Sequence, residues 1–220
     1  MDMIVDHFPP LGLRLNTPRL QLRMPSDDDL AQLAEAALSG VHDPAEMPFI
    51  QPWTDQAPGP LARGVLQHNW LSMASWTPAD WVFNGVVVHE GTVIGIQDMR
   101  ARNFGVARQV GTGSWLAQRY QGRGFGTEMR AAVLHLAFEE LGADAAVSAA
   151  FESTEASHGV SRKLGYRPDG TRLVAVRDRQ VSETLYRLTR EDWGKHRTVP
   201  VEVEGLEPCL PYFGLGELPD

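Results

Sequence analysis

Gln121-Gly122-Arg123-Gly124-Phe125-Gly126-Thr127-Glu128 places three glycines at every second position and then opens an amphipathic pattern from Thr127 to Leu141. An apolar, strand-like run from Val110 to Ala117 precedes it. Glycine tolerates positive φ and lets the backbone approach a ligand closely. The first N–H groups of a helix have no intrahelical partner, and the helix dipole adds partial positive charge there. The chemistry this spacing offers is anion binding, with a phosphate or pyrophosphate as guest. The plainer alternative is a tight turn and nothing more.

The surrounding chain must hold that loop. Leu13 to Met24 alternates apolar and polar residues as a half-buried strand does, with pairing starting after Pro18. Ser26 or Asp27 caps a helix that carries Leu30, Leu33, Ala34, Ala37 and Leu38 and closes at Gly40. Val41 to Pro60 is broken by prolines and carries Phe49, Ile50 and Trp53, so it reads as a lid, a substrate wall or an anchored surface connection. Helical spacing resumes from Leu61 to Met73. Trp81–Val88 and Thr92–Arg100 form a hairpin about His89-Glu90-Gly91, Gly105 makes a loop, and Gln109 to Ala117 is a third antiparallel member. Ala145–Phe151 has the small, uncharged residues of a buried parallel strand. A second helix over Glu155–Leu164 ends at Gly165; strands over Arg172–Arg177 and Val181–Leu188 and a short helix over Thr189–His196 follow.

The whole chain has 220 residues, 43% hydrophobic and 22% charged, which suits one globular domain, read as 1–196, with an appended arm, 197–220. The arm's Leu206, Leu210, Tyr212, Phe213 and Leu215 are too apolar for a free tail, so it packs on the domain or on a second subunit of a dimer. A net charge of -8 argues against a general nucleic-acid binder and leaves attraction to a cationic amine open. The single cysteine, Cys209, excludes an internal disulfide and a cysteine-based metal cluster. Without a signal-like start or a run of about 20 apolar residues, a soluble, cytoplasmic protein with no membrane partner is expected.

The element order, with the glycine loop after the fourth strand, resembles the GNAT acyltransferase superfamily. Gln121-Gly122-Arg123-Gly124-Phe125-Gly126 is similar to its Gln/Arg-x-x-Gly-x-Gly/Ala signature. Thr17-Pro18-Arg19-Leu20-Gln21-Leu22-Arg23 and Val160-Ser161-Arg162-Lys163-Leu164-Gly165-Tyr166 resemble the branch that acetylates ribosomal-protein N-termini. Pro48-Phe49, Pro52-Trp53 and the arm resemble actinobacterial members associated with succinyl-CoA. The resemblance implies an α/β fold of the α+β type, a mixed, mostly antiparallel sheet flanked by helices and splayed between its fourth and fifth strands. It also implies acetyl-CoA or another short acyl-CoA, succinyl-CoA included. The pyrophosphate would lie across Gln121, Gly122, Arg123, Gly124, Phe125, Gly126 and Thr127, and the pantetheine would pair along Leu116, Ala117 and Gln118.

Acyl transfer needs a neutral amine, a donor for the developing oxyanion and help for the departing thiolate. The superfamily's usual tyrosine acid is absent, because Ser161 stands at its position. The ribosomal branch has a serine one turn earlier, here Ser157, which could donate to sulfur or simply bond its own helix. Where relatives carry an asparagine on the pantetheine, this chain has Thr154, a helix N-cap position. Glu152 and Asp98 are the candidate bases, and His158 neighbours Ser157 in sequence only. Arg100, Arg102 and His158 are the cations considered for a succinyl carboxylate, and Glu128 reads as structural. The expected activity is acyl transfer to a protein N-terminus, a lysine or a small amine by direct attack in a ternary complex. A silent acyl-CoA sensor is the alternative. A dinucleotide oxidoreductase fits poorly, because the glycines follow an antiparallel hairpin.

Overall fold

The computed structural model describes residues 3–218. In chain order the strands are β1 (Arg14–Asn16), β2 (Gln21–Arg23), β3 (Asp80–His89), β4 (Thr92–Arg102), β5 (Gln109–Leu116), β6 (Ala145–Phe151), β7 (Arg167–Val176), β8 (Arg179–Thr189) and β9 (Glu202–Glu204). The helices are α1 (Met3–His7), α2 (Asp27–Leu38), α3 (Pro58–Ala74), α4 (Phe104–Ala107), α5 (Phe125–His135), α6 (Glu155–Lys163) and α7 (Arg190–His196). All nine strands form one sheet in the order β7-β8-β6-β5-β4-β3-β2-β1-β9. Every neighbouring pair is antiparallel except β5 with β6. This is the mixed, mostly antiparallel sheet expected.

Local chemistry explains most boundaries. Glu90 and Gly91 turn β3 into β4 with φ of 50° and 76°, the paired positive values a tight two-residue hairpin needs. Ser26 caps α2 in a reciprocal box with Asp29, whose carboxylate also receives Arg23 at 2.8 Å. Leu13–Met24 differs from the single strand expected. It doubles back as the β1–β2 hairpin, with Arg14 opposite Arg23 and both Leu15 and Leu22 fully buried. Thr17 closes the turn by accepting the Leu20 N–H at 3.0 Å. Alternation survives a reversal of direction, so the pattern alone does not reveal it. The helix expected from Thr127 starts two residues earlier, and its last turn, Leu136–Glu140, widens to π geometry. The Gly105 loop is one turn of helix, α4, and β7 starts at Arg167 with a bulge between Pro168 and Thr171.

The C-terminal residues pack within the chain. β9 pairs with β1, and Cys209 and Phe213 are fully buried in the main core. Phe213 stands edge-on to Trp81 at 4.8 Å, and Trp76 Nε1 donates to the Tyr212 carbonyl at 2.8 Å. Burial pushes the Cys209 thiol up to about 12. Phe213→Ala is expected to cost about 3–5 kcal/mol in chemical denaturation, the usual loss for an aromatic ring deleted from a closed core. No helix among the described residues is long and apolar enough to cross a membrane.

What positions the site is the failure of one strand pair. β5 and β6 pair only at Gln109–Ala145, Val110–Ala146 and Gly111–Val147. Beyond these, β5 continues on β4 to Leu116 and β6 continues on β8 to Phe151. β5 and β6 are the fourth and fifth strands of the expected splay, counting the opening hairpin as one.

Candidate active site

A cleft of about 740 Å³ fills the splay. One wall is β5 from Thr112 to Leu116, the other is β6 from Ser148 to Ala150, and the glycine loop and α6 complete the lining. Gln121, Gly122, Gly124, Gly126 and Thr127 line it. Gly122 and Gly124 have φ of 71° and 85°, which turn the chain into α5. Among the described residues, the N–H groups from Gly122 to Gly126 have no protein acceptor. The loop is therefore an open set of donors at a helix start, and the cleft suits a phosphate-bearing, elongated guest.

Alternate loop residues do other work. Phe125 is buried against His89 at 4.5 Å, and Arg123 lies over the Phe125 and Tyr120 rings. Gln121 Nε2 donates to the Val41 carbonyl at 2.6 Å and to Leu116 at 2.9 Å, tying the loop base to the strand. Glu128, only 6% exposed, accepts Thr17 Oγ1 at 2.7 Å and the Arg19 backbone N–H at 3.0 Å and pairs with its guanidinium. Two stretches far apart in sequence thus meet, and the β1–β2 turn braces the glycine loop from below.

Of the expected pantetheine contacts, Leu116 lines the cleft. Ala117 and Gln118 are placed otherwise: their N–H groups go to Ile94 and Gly40, both at 2.9 Å. The edge of β5 without a paired strand runs from Thr112 to Leu116.

On α6, Ser157 lines the cleft, and among the described residues its hydroxyl has no hydrogen-bond partner. Thr154 also lines it but does not cap with its side chain; its Oγ1 donates back to Phe151 at 2.6 Å. Ser161 is 1% exposed and accepts Arg130 Nη1 at 3.4 Å. His158 is locked away. Its Nε2 donates to the Phe151 carbonyl at 3.0 Å, which makes Nδ1 the acceptor for Tyr186 Oη at 2.7 Å. Glu152 is exposed and lines neither this cleft nor the pocket beside it.

That pocket, about 320 Å³, lies under α2 and α3, and Trp115 lines both cavities. Asp98 lines it opposite Gly113, where a Cβ would come within 2.4 Å of the carboxylate. Glycine at 113 is therefore what makes room for Asp98. Burial raises the Asp98 pKa, although Arg100 opposes this through a 2.5 Å ion pair. Among the described residues, Asn69 Oδ1 and Asn84 Nδ2 are buried without partners. Each such atom costs about 1–3 kcal/mol unless water or a ligand meets it.

A family profile described as the Acetyltransferase (GNAT) domain matches residues 19–167, more than half of the chain. The protein belongs to the GNAT acetyltransferases. Solved structures with the same fold include RimL, the ribosomal L7/L12 α-N-protein acetyltransferase in complex with coenzyme A. It has 15% identity and a TM-score of 0.64, with 79% of this chain and 95% of that one covered. The ribosomal-protein-S5-alanine acetyltransferase of Vibrio fischeri has 19% identity and a TM-score of 0.64, covering 82% and 98%. Mycobacterium smegmatis RimJ in complex with CoA-disulfide has 17% identity and a TM-score of 0.63, covering 83% and 89%.

Several residues of this GNAT site are not among the motif positions. Arg130 is 5% exposed and lines the cleft; among the described residues its partners are Ser161 and Ser114, at 3.4 and 3.3 Å, and its Nε has none. Burial depresses its pKa, while Tyr166 and Asp98 nearby act in the opposite sense. Its signal in the sequence is a charge three residues before the buried Val133, on the apolar side of α5. Asn84 similarly interrupts the apolar run of β3. Trp53 and Trp115, 5.5 Å apart, come from segments with no common motif.

Proposed function

We propose that the protein is an acyl-CoA-dependent N-acyltransferase that moves an acetyl or succinyl group to a primary amine by direct attack in a ternary complex. The observation that carries this reading is the three-rung β5–β6 contact, which opens a cleft lined by both the phosphate donors and Ser157. Bound acyl-CoA supplies an activated thioester. The N–H groups of Gly122 to Gly126 would hold its pyrophosphate, and the unpaired edge of β5 between Thr112 and Leu116 would orient its pantetheine.

Ser157 supplies the proton or hydrogen bond at the departing sulfur, since its hydroxyl is not engaged by the helix. Asp98 removes the amine proton, directly or through water. Glu152, the other acid candidate, is exposed and outside both cavities, so Asp98 is the better placed. If the acyl group carries a free carboxylate, Arg130 is the cation suited to it. Arg102 is instead exposed and paired with Asp80, and His158 is held by Phe151 and Tyr186.

Calorimetry with CoA, followed by thioester cleavage with acetyl- and succinyl-CoA over a panel of amines, tests the assignment. Binding without turnover on any amine would replace it with the sensor reading. Ser157→Ala is expected to lower kcat roughly tenfold with CoA affinity unchanged, less than a full general acid contributes, because a thiolate leaves readily. Steady-state kinetics beside calorimetry separates the two effects.

A further inference from the structure

We propose that the 320 Å³ pocket under α2 and α3 is the acceptor site and selects a small primary amine with a ring-sized apolar body and one distal hydrogen-bonding group. The proposal rests on the transferase reading and adds to it the class of acceptor.

Its walls are mostly apolar, from Leu33, Leu61, Val65 and Ile96, with the Trp53 and Trp115 rings at a tilt of 46°. Two buried carboxamides interrupt them. Asn69 Nδ2 donates to the Val65 carbonyl at 2.9 Å, which fixes the orientation of that amide and leaves Oδ1 as the free acceptor. Asn84 Nδ2 is likewise unpartnered, and the two residues are 2% and 3% exposed. An acceptor and a donor left unmatched beside an aromatic cavity complement a hydroxyl or phenol, which can both give and receive. Asp98 is the anionic residue of the lining and draws the ammonium end toward Trp115, which also faces the CoA cleft.

The roof favours a compact guest. Gln51, Trp53 and Gln56 of the proline-rich loop cover the pocket, and Asp55 in the same loop is tied to Arg177 at the β7–β8 turn. An N-terminal alanine would leave the tryptophans and both amides unmatched. In turnover the ammonium gives up one proton by way of Asp98, then the C–N bond forms as the C–S bond breaks. The nitrogen loses a second proton and the thiolate gains one, so amide, CoA thiol and one net proton result.

Tyramine, phenethylamine and an alanine-leading hexapeptide titrated into the CoA-bound full chain by calorimetry test the assignment without needing turnover. Tyramine is expected to bind at least about tenfold tighter than either comparison, since a site built around a hydroxyl rejects the analogue that lacks it. Asn84→Leu should erase the difference between the two amines, and Trp53→Ala, on the half-buried loop, should weaken both. Tighter binding of the peptide, no saturable amine binding, or a difference that survives Asn84→Leu overturns the proposal. Should Asn84→Leu not fold, an unchanged affinity in Trp53→Ala overturns it equally. Amine binding with no product on any donor would instead overturn the transferase reading and leave the pocket assigned.

Discussion

Gly126→Asp is expected to weaken CoA binding at least about 100-fold, or 2.7 kcal/mol by the usual conversion. Gly126 lies at the start of α5 and lines the cleft, so a carboxylate there opposes the pyrophosphate within the donor set meant to hold it. The position separates charge from strain. Gly126 is not among the positive-φ glycines, and a Cβ would meet Val160 at an ordinary 3.5 Å. Gly126→Ala should therefore fold and keep most of the affinity, whereas at Gly124 (φ of 85°) any side chain adds backbone strain. Calorimetry on the Ala and Asp variants gives the comparison; normal CoA binding by the Asp variant would remove the loop from the site.

Asp98→Asn is expected to lower kcat/KM by about 10²–10⁴, the range for loss of a positioned base. In the parent protein activity should rise with pH through an Asp98 pKa lying above the ordinary aspartate range, because only the ionised carboxylate can take a proton. The Asn variant should lose that limb of the profile. Stability moves the other way. With the folded-state pKa raised above the unfolded value, protonation favours the fold: the Asp98 contribution is best at low pH and declines as pH rises through the folded pKa. At neutral pH the neutral amide should therefore leave Tm unchanged or higher, while Arg100, which is exposed, loses little. Activity within about threefold of the parent would exclude Asp98 as the base.

Legibility in the sequence followed the range of each signal. The glycine loop, the β3–β4 hairpin and the α2 cap are local, and each depends on residues within a few positions, so composition and spacing sufficed. The splay was legible only through the resemblance, because nothing within Ala145–Phe151 says where its pairing with β5 must stop. Arg130 matters through partners 16 and 31 residues away, Ser114 and Ser161, Gly113 through space left for the Asp98 side chain, and Asn84 through a pocket it shares with α2 and α3. His158 and Glu152 illustrate the converse: suitable chemistry at a suggestive position, turned elsewhere by the helix pitch and the strand end.

A sheet ordinarily guards its rims, and this one does so at the outside, with a three-residue β9 at one margin and a bulged, proline-bearing β7 at the other. The divergence of β5 from β6 creates two more rims in the middle of the molecule. They carry Thr112, Gly113 and Ser114 on one side and Ser148, Ala149 and Ala150 on the other, small uncharged residues with no gatekeeper among them. Such margins on an outer surface would invite another copy to add a strand. Here both rims line one cleft that Pro48 and Phe49 also line, in the loop that Asp55 ties to Arg177.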